Sequence, residues 1–250
     1  MKPGVHTASA LAGRAPAPAA APARPRPSAW RVLWATARRD LRLELRERDA
    51  ANAMLFYGLL VIVIFSFAFT AEAQLTLRVG GGLLWVAFLF AGLLALDRAF
   101  LREAANDCLA GLIASPAPRA ALLAGKFAAT AAMMLMVEAV LLPLFAVIFN
   151  APPAARWGGI VLTVLLGTWA LAANGTYFSA LGTHARQRTL LLPLLLLPVA
   201  VPAIIAMVQA TQVFLAGSGG AEFWLKLLLG YDVIFTALGV VLADAVLEAE

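Results

Sequence analysis

The sequence predicts an all-α integral membrane protein with six transmembrane helices, preceded by an amphipathic elbow helix. Two observations predict this class. Hydrophobic residues make up 62% of the 250 positions and charged residues only 13%, whereas a soluble domain is about half apolar and about a quarter charged. The basic residues lie between long apolar stretches and form no single patch. The sequence therefore excludes a soluble enzyme and a nucleic-acid-binding module.

Six apolar stretches account for the spanning helices. The hydrocarbon layer is about 30 Å thick and a helix rises about 1.5 Å per residue, so a span needs about 20 mostly apolar residues. Helices also satisfy every backbone amide within lipid. In the fifth stretch Pro193, Pro198 and Pro202 each remove an intrahelical hydrogen bond, which predicts a kink. The stretches are residues 53–71, 79–96, 120–149, 157–181, 190–209 and 225–247.

The basic residues predict that both termini lie in the cytoplasm. Ten precede the first stretch, four accompany the connection after the second stretch, and two accompany the connection after the fourth. The other three connections hold one each, namely Arg78, Arg156 and Lys226. Sixteen basic residues on one side against three on the other follow the positive-inside rule. An even number of spans agrees with this orientation.

The N-terminal region divides into a tail and an elbow helix. Residues 1–29 are rich in Pro, Ala and Arg and predict a disordered cytoplasmic tail; the membrane domain then covers residues 30–250. Apolar residues among arginines at helical spacing predict a helix in the cytoplasmic interface, with tryptophans at headgroup depth and arginines on anionic lipid. Asn52 is expected to turn the chain into the membrane. The apolar stripe consists of Trp30, Leu33, Trp34, Ala37, Leu41 and Leu45.

The longest cytoplasmic connection, Asp97–Arg119, predicts a short helix parallel to the membrane. It has one apolar face and is ended by Ser115-Pro116-Ala117-Pro118, because proline disfavours helix in the residue before it. Such a helix suits docking into a groove on a cytoplasmic partner. The alternative is an interfacial helix bound only to lipid, although lipid favours a more basic polar face. The apolar face consists of Leu101, Ala105, Cys108, Leu109 and Leu112.

The sequence lacks the motifs of nucleotide hydrolysis and of metal chemistry. Gly125-Lys126 is followed by Phe127, so it does not complete a phosphate-binding loop. H-E-x-x-H, C-x-x-C and a nucleophile elbow are also missing, and the single cysteine excludes a disulfide framework. We therefore predict no catalytic and no metal-binding residue.

The last connection and the last span carry two further predictions. Residues 217–220 (GSGG), followed by Phe223 and Trp224, predict a periplasmic turn that returns along the interface. A short pair of re-entrant segments is an alternative that stays open. Asp232 resembles half of an intramembrane aspartyl protease dyad, but Asp244 lies about 18 Å further along the same helix, too far to share a proton. Asp232 is instead expected to be a hydrated interface residue.

Glu138 lies in the middle of the third stretch, where an uncompensated charge costs about 2.5–3.5 kcal/mol on insertion scales. Such residues usually face a bundle interior or a water-filled cavity. Asn174, Thr176 and Tyr177 in the fourth stretch lie at a depth at which they could meet it. Two interpretations stay open: a conformational latch or substrate contact, and a protonated or hydrogen-bonded packing residue.

Several segments resemble the CcmB family, over about residues 30 to 210. The sequence departs from the family where Phe127-Ala128-Ala129-Thr130 follows Lys126 in place of a His-Trp pair. It departs again where residues 106–108 (NDC) replace an aspartate-glycine step. These departures bear on the substrate more than on the class. The resembling segments are 37–41 (ARRDL), 82–86 (GLLWV), 93–100 (LLALDRAF), 109–116 (LAGLIASP), Lys126 and the Arg and Pro pattern of 186–202.

The resemblance implies a transport complex in the bacterial inner membrane. The family supplies the permease subunit of the haem exporter-like ABC transporter of cytochrome c maturation, with six spans like an ABC-2-type permease. It implies a homodimer with two CcmA ATPase subunits, which hydrolyse the ATP, and association with the haem-handling subunits CcmC and CcmD. Haem is the candidate substrate, and the cycle is tied to release of the haem-loaded chaperone CcmE on the periplasmic side. The chain itself would not be an enzyme.

On the same resemblance, residues 97–118 form the coupling element that the ATPase pushes. Two other functions stay open: an ABC-2-type exporter of a lipid or drug, and a non-transporting scaffold for the ATPase and haem subunits. The intramembrane polar candidates are Glu138, Asn174 and Tyr177. The candidate coupling residues are Asp97, Arg98, Phe100, Glu103, Asp107, Ser115 and Pro116.

Overall fold

A computed structural model describes residues 28–69, 73–105, 118–152, 155–181, 188–241 and 243. Within these ranges the chain forms seven helices and no strand, which confirms the predicted all-α class. Residues 1–27, which make up nearly all of the predicted tail, lie outside the described residues. The helices are α1 (Ala29–Glu47), α2 (Asp49–Ala68), α3 (Ala73–Ala105), α4 (Arg119–Ile148), α5 (Trp157–Leu181), α6 (Arg188–Leu215) and α7 (Glu222–Val241).

Six of these helices, α2 to α7, are long and apolar enough to cross a membrane, as the sequence predicted. The predicted fifth stretch, 190–209, lies wholly within α6, which continues beyond it to Leu215. Polar residues near its end do not stop the helix. The indole Nε1–H of Trp85 in α3 donates to the buried Oγ1 of Thr211 at 2.9 Å, which satisfies that hydroxyl inside the bundle. Helix α6 is continuous through its three prolines.

The elbow between α1 and α2 lies at Arg48, so the prediction that Asn52 turns the chain is wrong. Arg48 has a positive φ of 58° and separates the two helices. Its N–H donates to the Glu44 carbonyl at 2.7 Å, and its own carbonyl accepts from Asn52 N–H at 2.9 Å. Asn52 is therefore already inside the first turn of α2. A single left-handed residue accomplishes the change of direction.

Helix α3 is longer than the span that the sequence predicted. It continues past Leu96 to Ala105, so residues 97–105 extend the spanning helix and do not begin a separate helix parallel to the membrane. The remainder of the predicted coupling element, residues 106–117, lies outside the described residues. The start of that element is thus continuous with the spanning helix.

The core of the bundle is built around α3, which packs against α2, α4, α5 and α6. Phe88 of α3, Met134 and Leu141 of α4 and Met207 of α6 are fully buried together. Small residues allow this approach: a Cβ at Gly81 would lie 2.7 Å from the Val208 carbonyl oxygen of α6. Close backbone approach at small residues is the usual way in which transmembrane helices associate.

Helix α1 does not lie on lipid alone, because one of its faces packs against the start of α4. Thr36 and Ala37 are buried there. A Cβ at Gly125 of α4 would lie 2.7 Å from Thr36 Cβ and 2.8 Å from the Leu33 carbonyl oxygen. The contact also holds an ion pair, Lys126 Nζ to Asp40 Oδ2 at 3.4 Å, in which the Lys126 side chain is 7% exposed.

The connection between α6 and α7, which the structure describes completely, is a tight turn without a re-entrant pair. Helix α6 ends at Leu215 and α7 begins at Glu222. Gly217 and Gly220 have positive φ angles of 67° and 99°, which glycine adopts without steric cost. Phe223 follows at the outer surface and is 64% exposed.

We expect the substitution Gly125→Ala to loosen the contact between α1 and α4. The new methyl group would overlap a backbone carbonyl, which cannot rotate away, so α1 must shift; overpacking of this kind typically costs about 1–3 kcal/mol. The midpoint of thermal unfolding in detergent, followed by tryptophan fluorescence, measures this change.

The matched control for this prediction is Gly230→Ala. Gly230 is also helical, and a methyl group added there would have nothing within 4 Å of it, so alanine is expected to gain about 0.5–1 kcal/mol from helix propensity. Equal midpoints for the two variants would show that α1 is not held by close packing at Gly125.

Candidate functional site

The first intramembrane polar contact joins α4 to α5 at Glu138. Its side chain is 2% exposed. Thr168 Oγ1 donates a hydrogen bond to Glu138 Oε2 at 2.5 Å, and Oε1 has no hydrogen-bond partner within the part of the chain that the structure describes. A carboxyl group buried in this way faces the bundle interior, as the sequence predicted, and it is satisfied only on one side.

The partner of Glu138 is not among the residues that the sequence indicated. Two antiparallel helices place side by side residues that are equally far from their connection. Glu138 lies 11 residues before Phe149, and Thr168 lies 12 residues after Arg156, whereas Asn174 lies 18 after it. Six residues correspond to about 9 Å along a helix. Counting residues from the middle of the connection would therefore have indicated Thr168 from the sequence alone. The sequence analysis did not make this count and missed Thr168.

Asn174 belongs to a second contact, between α5, α6 and α7. Its Nδ2 donates to the Tyr231 hydroxyl at 2.8 Å and to the Ala170 carbonyl at 2.9 Å. The Tyr231 hydroxyl in turn donates to the Val199 carbonyl of α6 at 2.9 Å. Val199 lies next to Pro198, whose carbonyl has no regular i+4 donor because Pro202 lacks an N–H.

Asp232 is buried, so the expectation of a hydrated interface residue is wrong. It is 4% exposed, and neither carboxyl oxygen has a hydrogen-bond partner among the described residues. Leu228 and Tyr231 are buried on the same side of α7, and α7 packs against α5 and α6. The helical period places Asp232 on the packed face although the sequence position suggested the membrane surface.

Tyr177 lies apart from Glu138, beside a small crevice between α4, α5 and α7. The crevice has a volume of about 70 Å³ and is mainly apolar, with Leu123, Phe127 and Phe235 among its lining. Thr176 also lines it and is 1% exposed. The Thr176 hydroxyl has no hydrogen-bond partner within the described ranges. Glu138, Asn174 and Tyr177 thus occupy three separate places and do not form one site.

Helix α3 is tied to the bundle by polar contacts at two levels. One is the bond from Trp85 to Thr211 of α6. The other is the donation from Ser179 Oγ in α5 to the Leu96 carbonyl oxygen at 3.0 Å, immediately before Asp97. The sequence indicated Trp85 only as part of a family motif and pointed to neither partner, because a hydroxyl in an apolar helix gives no signal of the neighbour it will face.

The predicted coupling residues fall at the edge of the described chain. Asp97, Arg98, Phe100 and Glu103 lie on the last turns of α3, where the structure describes the backbone course only. The other three predicted residues, Asp107, Ser115 and Pro116, lie outside the described residues. Within the described ranges, no group of three or more His, Cys, Asp or Glu residues could hold a metal ion.

Comparison with known proteins identifies relatives along nearly the whole chain. Residues 31–249 match the family described as CcmB protein. Heme exporter protein B of Rhodobacter capsulatus is 36% identical over 171 residues, 67% of this chain and 76% of the relative. The proteins of the same name from Bradyrhizobium diazoefficiens and Pseudomonas aeruginosa are each 32% identical, over 87% and 81% of this chain and 97% and 91% of their own lengths.

We expect Thr168→Val to destabilise the bundle because it removes the hydroxyl that bonds to Glu138 while keeping the side-chain shape. A buried polar group left without its partner typically costs about 1–3 kcal/mol. Unfolding by denaturant in mixed micelles measures the free energy, and Thr168→Ser, which keeps the hydroxyl, is expected to recover most of the loss.

Thr163→Val supplies the matched control in the same helix. The Thr163 hydroxyl is buried but donates to the Gly159 carbonyl of its own helix at 2.9 Å, so its removal leaves no side chain on a neighbouring helix without a partner. A loss no larger for Thr168→Val than for Thr163→Val would contradict the contact with Glu138.

Proposed function

The chain belongs to the CcmB protein family, and on that premise we propose that it is the membrane subunit of a haem exporter complex that serves cytochrome c maturation. The observation that carries the proposal is the match of residues 31–249 to the family, in a chain with six helices able to span a membrane. Haem is the proposed substrate class, since the relatives are named heme exporters. The chain is a transporter component and not itself an enzyme.

A separate subunit must supply the energy in this proposal. The sequence holds no phosphate-binding loop, so a CcmA-like ATPase would bind and hydrolyse the ATP. CcmC-like and CcmD-like haem-handling subunits would complete the complex, in which this chain forms a homodimer. Release of the haem-loaded CcmE-like chaperone would be the outcome of the cycle on the periplasmic side.

The proposed location is the bacterial inner membrane, with both termini in the cytoplasm. Sixteen of the nineteen basic residues support this orientation, because they lie before α2, around the connection from α3 to α4 and around the connection from α5 to α6. In this orientation the ATPase-facing side of the protein carries α1, the end of α3 and the start of α4.

Movement of the ATPase would reach the bundle through α3. ATP binding would close the partner dimer and shift the coupling element, residues 97–118. Because residues 97–105 continue the spanning helix, a push on them displaces α3 as a rod. The bonds from Ser179 to the Leu96 carbonyl and from Trp85 to Thr211 would pass this displacement to α5 and α6. The outer leaflet side of the bundle would thereby reorient.

Two alternative roles of the buried Glu138 carboxyl group are compatible with this proposal, and the contact with Thr168 does not distinguish between them. As a latch, it would exchange partners between two positions of α4 and α5. As a packing residue, it would keep Thr168 throughout the cycle. Glu138→Gln keeps a hydrogen-bonding side chain of the same length without the carboxylic acid, so normal transport by this variant favours packing and lost transport with a normal unfolding midpoint favours the latch.

We expect Arg98→Glu to lower the level of assembled cytochrome c in cells while leaving membrane insertion intact. The substitution reverses a charge at the start of the coupling element, where the ATPase would dock. Haem staining of c-type cytochromes reads the function, and the amount of protein in washed membranes reads insertion.

Lys226→Glu is the matched charge reversal at the far end of the bundle. Lys226 is exposed on α7 and lies on the proposed periplasmic side, so this variant should retain cytochrome c. Normal cytochrome levels in the Arg98→Glu strain would count against the coupling role.

Purification of the complex from native membranes is expected to recover an ATPase and haem-binding subunits with this chain. Mass spectrometry identifies the subunits and absorbance detects haem. An ATPase without haem-handling subunits would favour an ABC-2-type exporter of lipid or drug. A complex that supports cytochrome c assembly with a hydrolysis-deficient ATPase would favour a scaffold.

A further inference from the structure

Helix α1 presents three distinct faces, and the bundle uses only one of them. Thr36 and Ala37 are buried against α4, and Asp40 pairs there with Lys126. Trp30 and Trp34 are 72% and 61% exposed although they are the largest apolar side chains of the helix. The sequence grouped the tryptophans with Leu33 and Ala37 in a single stripe, but the packing on α4 separates them.

The helical period fixes where the arginines stand relative to these faces. At about 100° per residue, Trp30 and Trp34 lie within about 40° of each other. Arg31, Arg38 and Arg42 also lie within about 40° of one another, at about 80° from the tryptophans and opposite the face that packs on α4. When the tryptophans point toward the bilayer, these arginines point sideways, along the plane of the headgroups.

The arginines line a shallow groove on the surface of α1. The groove has a volume of about 570 Å³, and Trp34, Ala35 and Leu43 supply its apolar part. None of its eight lining side chains is acidic; five are arginines, namely Arg31, Arg38, Arg39, Arg42 and Arg46. Arg39 pairs with Asp40 at 2.9 Å, so the positive charge is concentrated on the other four. Such a groove attracts an anion that also has apolar surface.

We propose that this groove binds the headgroup phosphate of an anionic phospholipid, held as a specific bound lipid. Guanidinium groups form paired hydrogen bonds with phosphate oxygens, and Arg38 and Arg42 are one helical turn apart, so both can reach the same headgroup. Trp34 covers the start of the acyl chains at the depth where tryptophan is enriched in membrane proteins.

A lipid suits the groove better than a free anion. Inorganic phosphate would neutralise the arginines but would make no contact with the apolar lining at Trp34 and Leu43, whereas a phospholipid contacts the charged and the apolar parts together. The bound lipid would hold the outer side of α1 while Gly125 and Lys126 hold its inner side. This proposal does not rest on the transport function; it requires only that the chain lies in a membrane.

The test measures the lipid that stays with the full-length protein. The protein is reconstituted in nanodiscs of phosphatidylcholine with a minor fraction of phosphatidylglycerol, extracted into mild detergent, and analysed by native mass spectrometry. We expect retained phosphatidylglycerol on the natural chain and about a tenfold lower retention for Arg38→Gln/Arg42→Gln, because two charge-assisted contacts are lost. Arg38→Lys/Arg42→Lys, which keeps the charge but not the paired geometry, should be intermediate.

The control variant Arg156→Gln/Lys226→Gln removes the same charge from the opposite side of the bundle and should retain the lipid. Equal loss from both double variants, or no retained lipid on the natural chain, overturns the proposal. Displacement of the lipid by millimolar inorganic phosphate also overturns it, in favour of a simple anion site.

A different result would assign the groove to an acidic protein: Arg38→Gln/Arg42→Gln leaves lipid retention unchanged, and a subunit of the native complex is lost instead. Unfolding midpoints of all variants establish that each one is folded.

Discussion

Close approach of helices inside lipid is the constraint on which the rest of this structure depends. Lipid tails are as apolar as leucine, so the helices gain little from hiding apolar side chains from their surroundings, and packing and interhelical hydrogen bonds must hold them together. Helix α3 meets this constraint at Gly81, where its backbone approaches that of α6, and Gly167 and Gly175 of α5 accommodate Trp85 and Leu96 of α3. Larger residues at these places would separate the elements that carry the polar contacts.

The polar contacts inside the bundle each join different helices. Glu138 and Thr168 join α4 to α5, Asn174 and Tyr231 join α5 to α7, and Trp85 joins α3 to α6. A polar group in a nonpolar interior costs free energy unless it is paired, so these contacts specify which helices are neighbours. Asp232 departs furthest from this pattern, because both of its carboxyl oxygens lack a partner among the described residues; Glu138 Oε1 and the Thr176 hydroxyl lack one as well.

Two elements outside the apolar spans, α1 and the end of α3, are attached to this core in different ways. Helix α3 extends beyond the span without a break, and α1 is docked against the beginning of α4 through Gly125 and the ion pair of Asp40 with Lys126. Arg38, Arg39 and Asp40 lie in one of the segments that resemble the family, and Lys126 is another matching position. The structure brings these two separate segments into contact, because Asp40 of the first pairs with Lys126.

The number of spans, the all-helical class and the burial of Glu138 followed from the sequence alone, because apolar length and the cost of a charge in lipid are local properties that need no knowledge of neighbours. The family was also readable from short motifs such as residues 82–86. The contacts between helices could not be predicted in the same way. They include the pairing of Glu138 with Thr168 instead of Asn174, the burial of Asp232 and the docking of α1. All three depend on how each helix is rotated and aligned against its neighbour, and segments that are apolar on all sides carry little information about rotation or alignment. The turn at Arg48 and the unbroken course of α3 through Asp97 were likewise visible only in the structure, since the sequence offers charged residues at both places and a charge can end a helix or continue it.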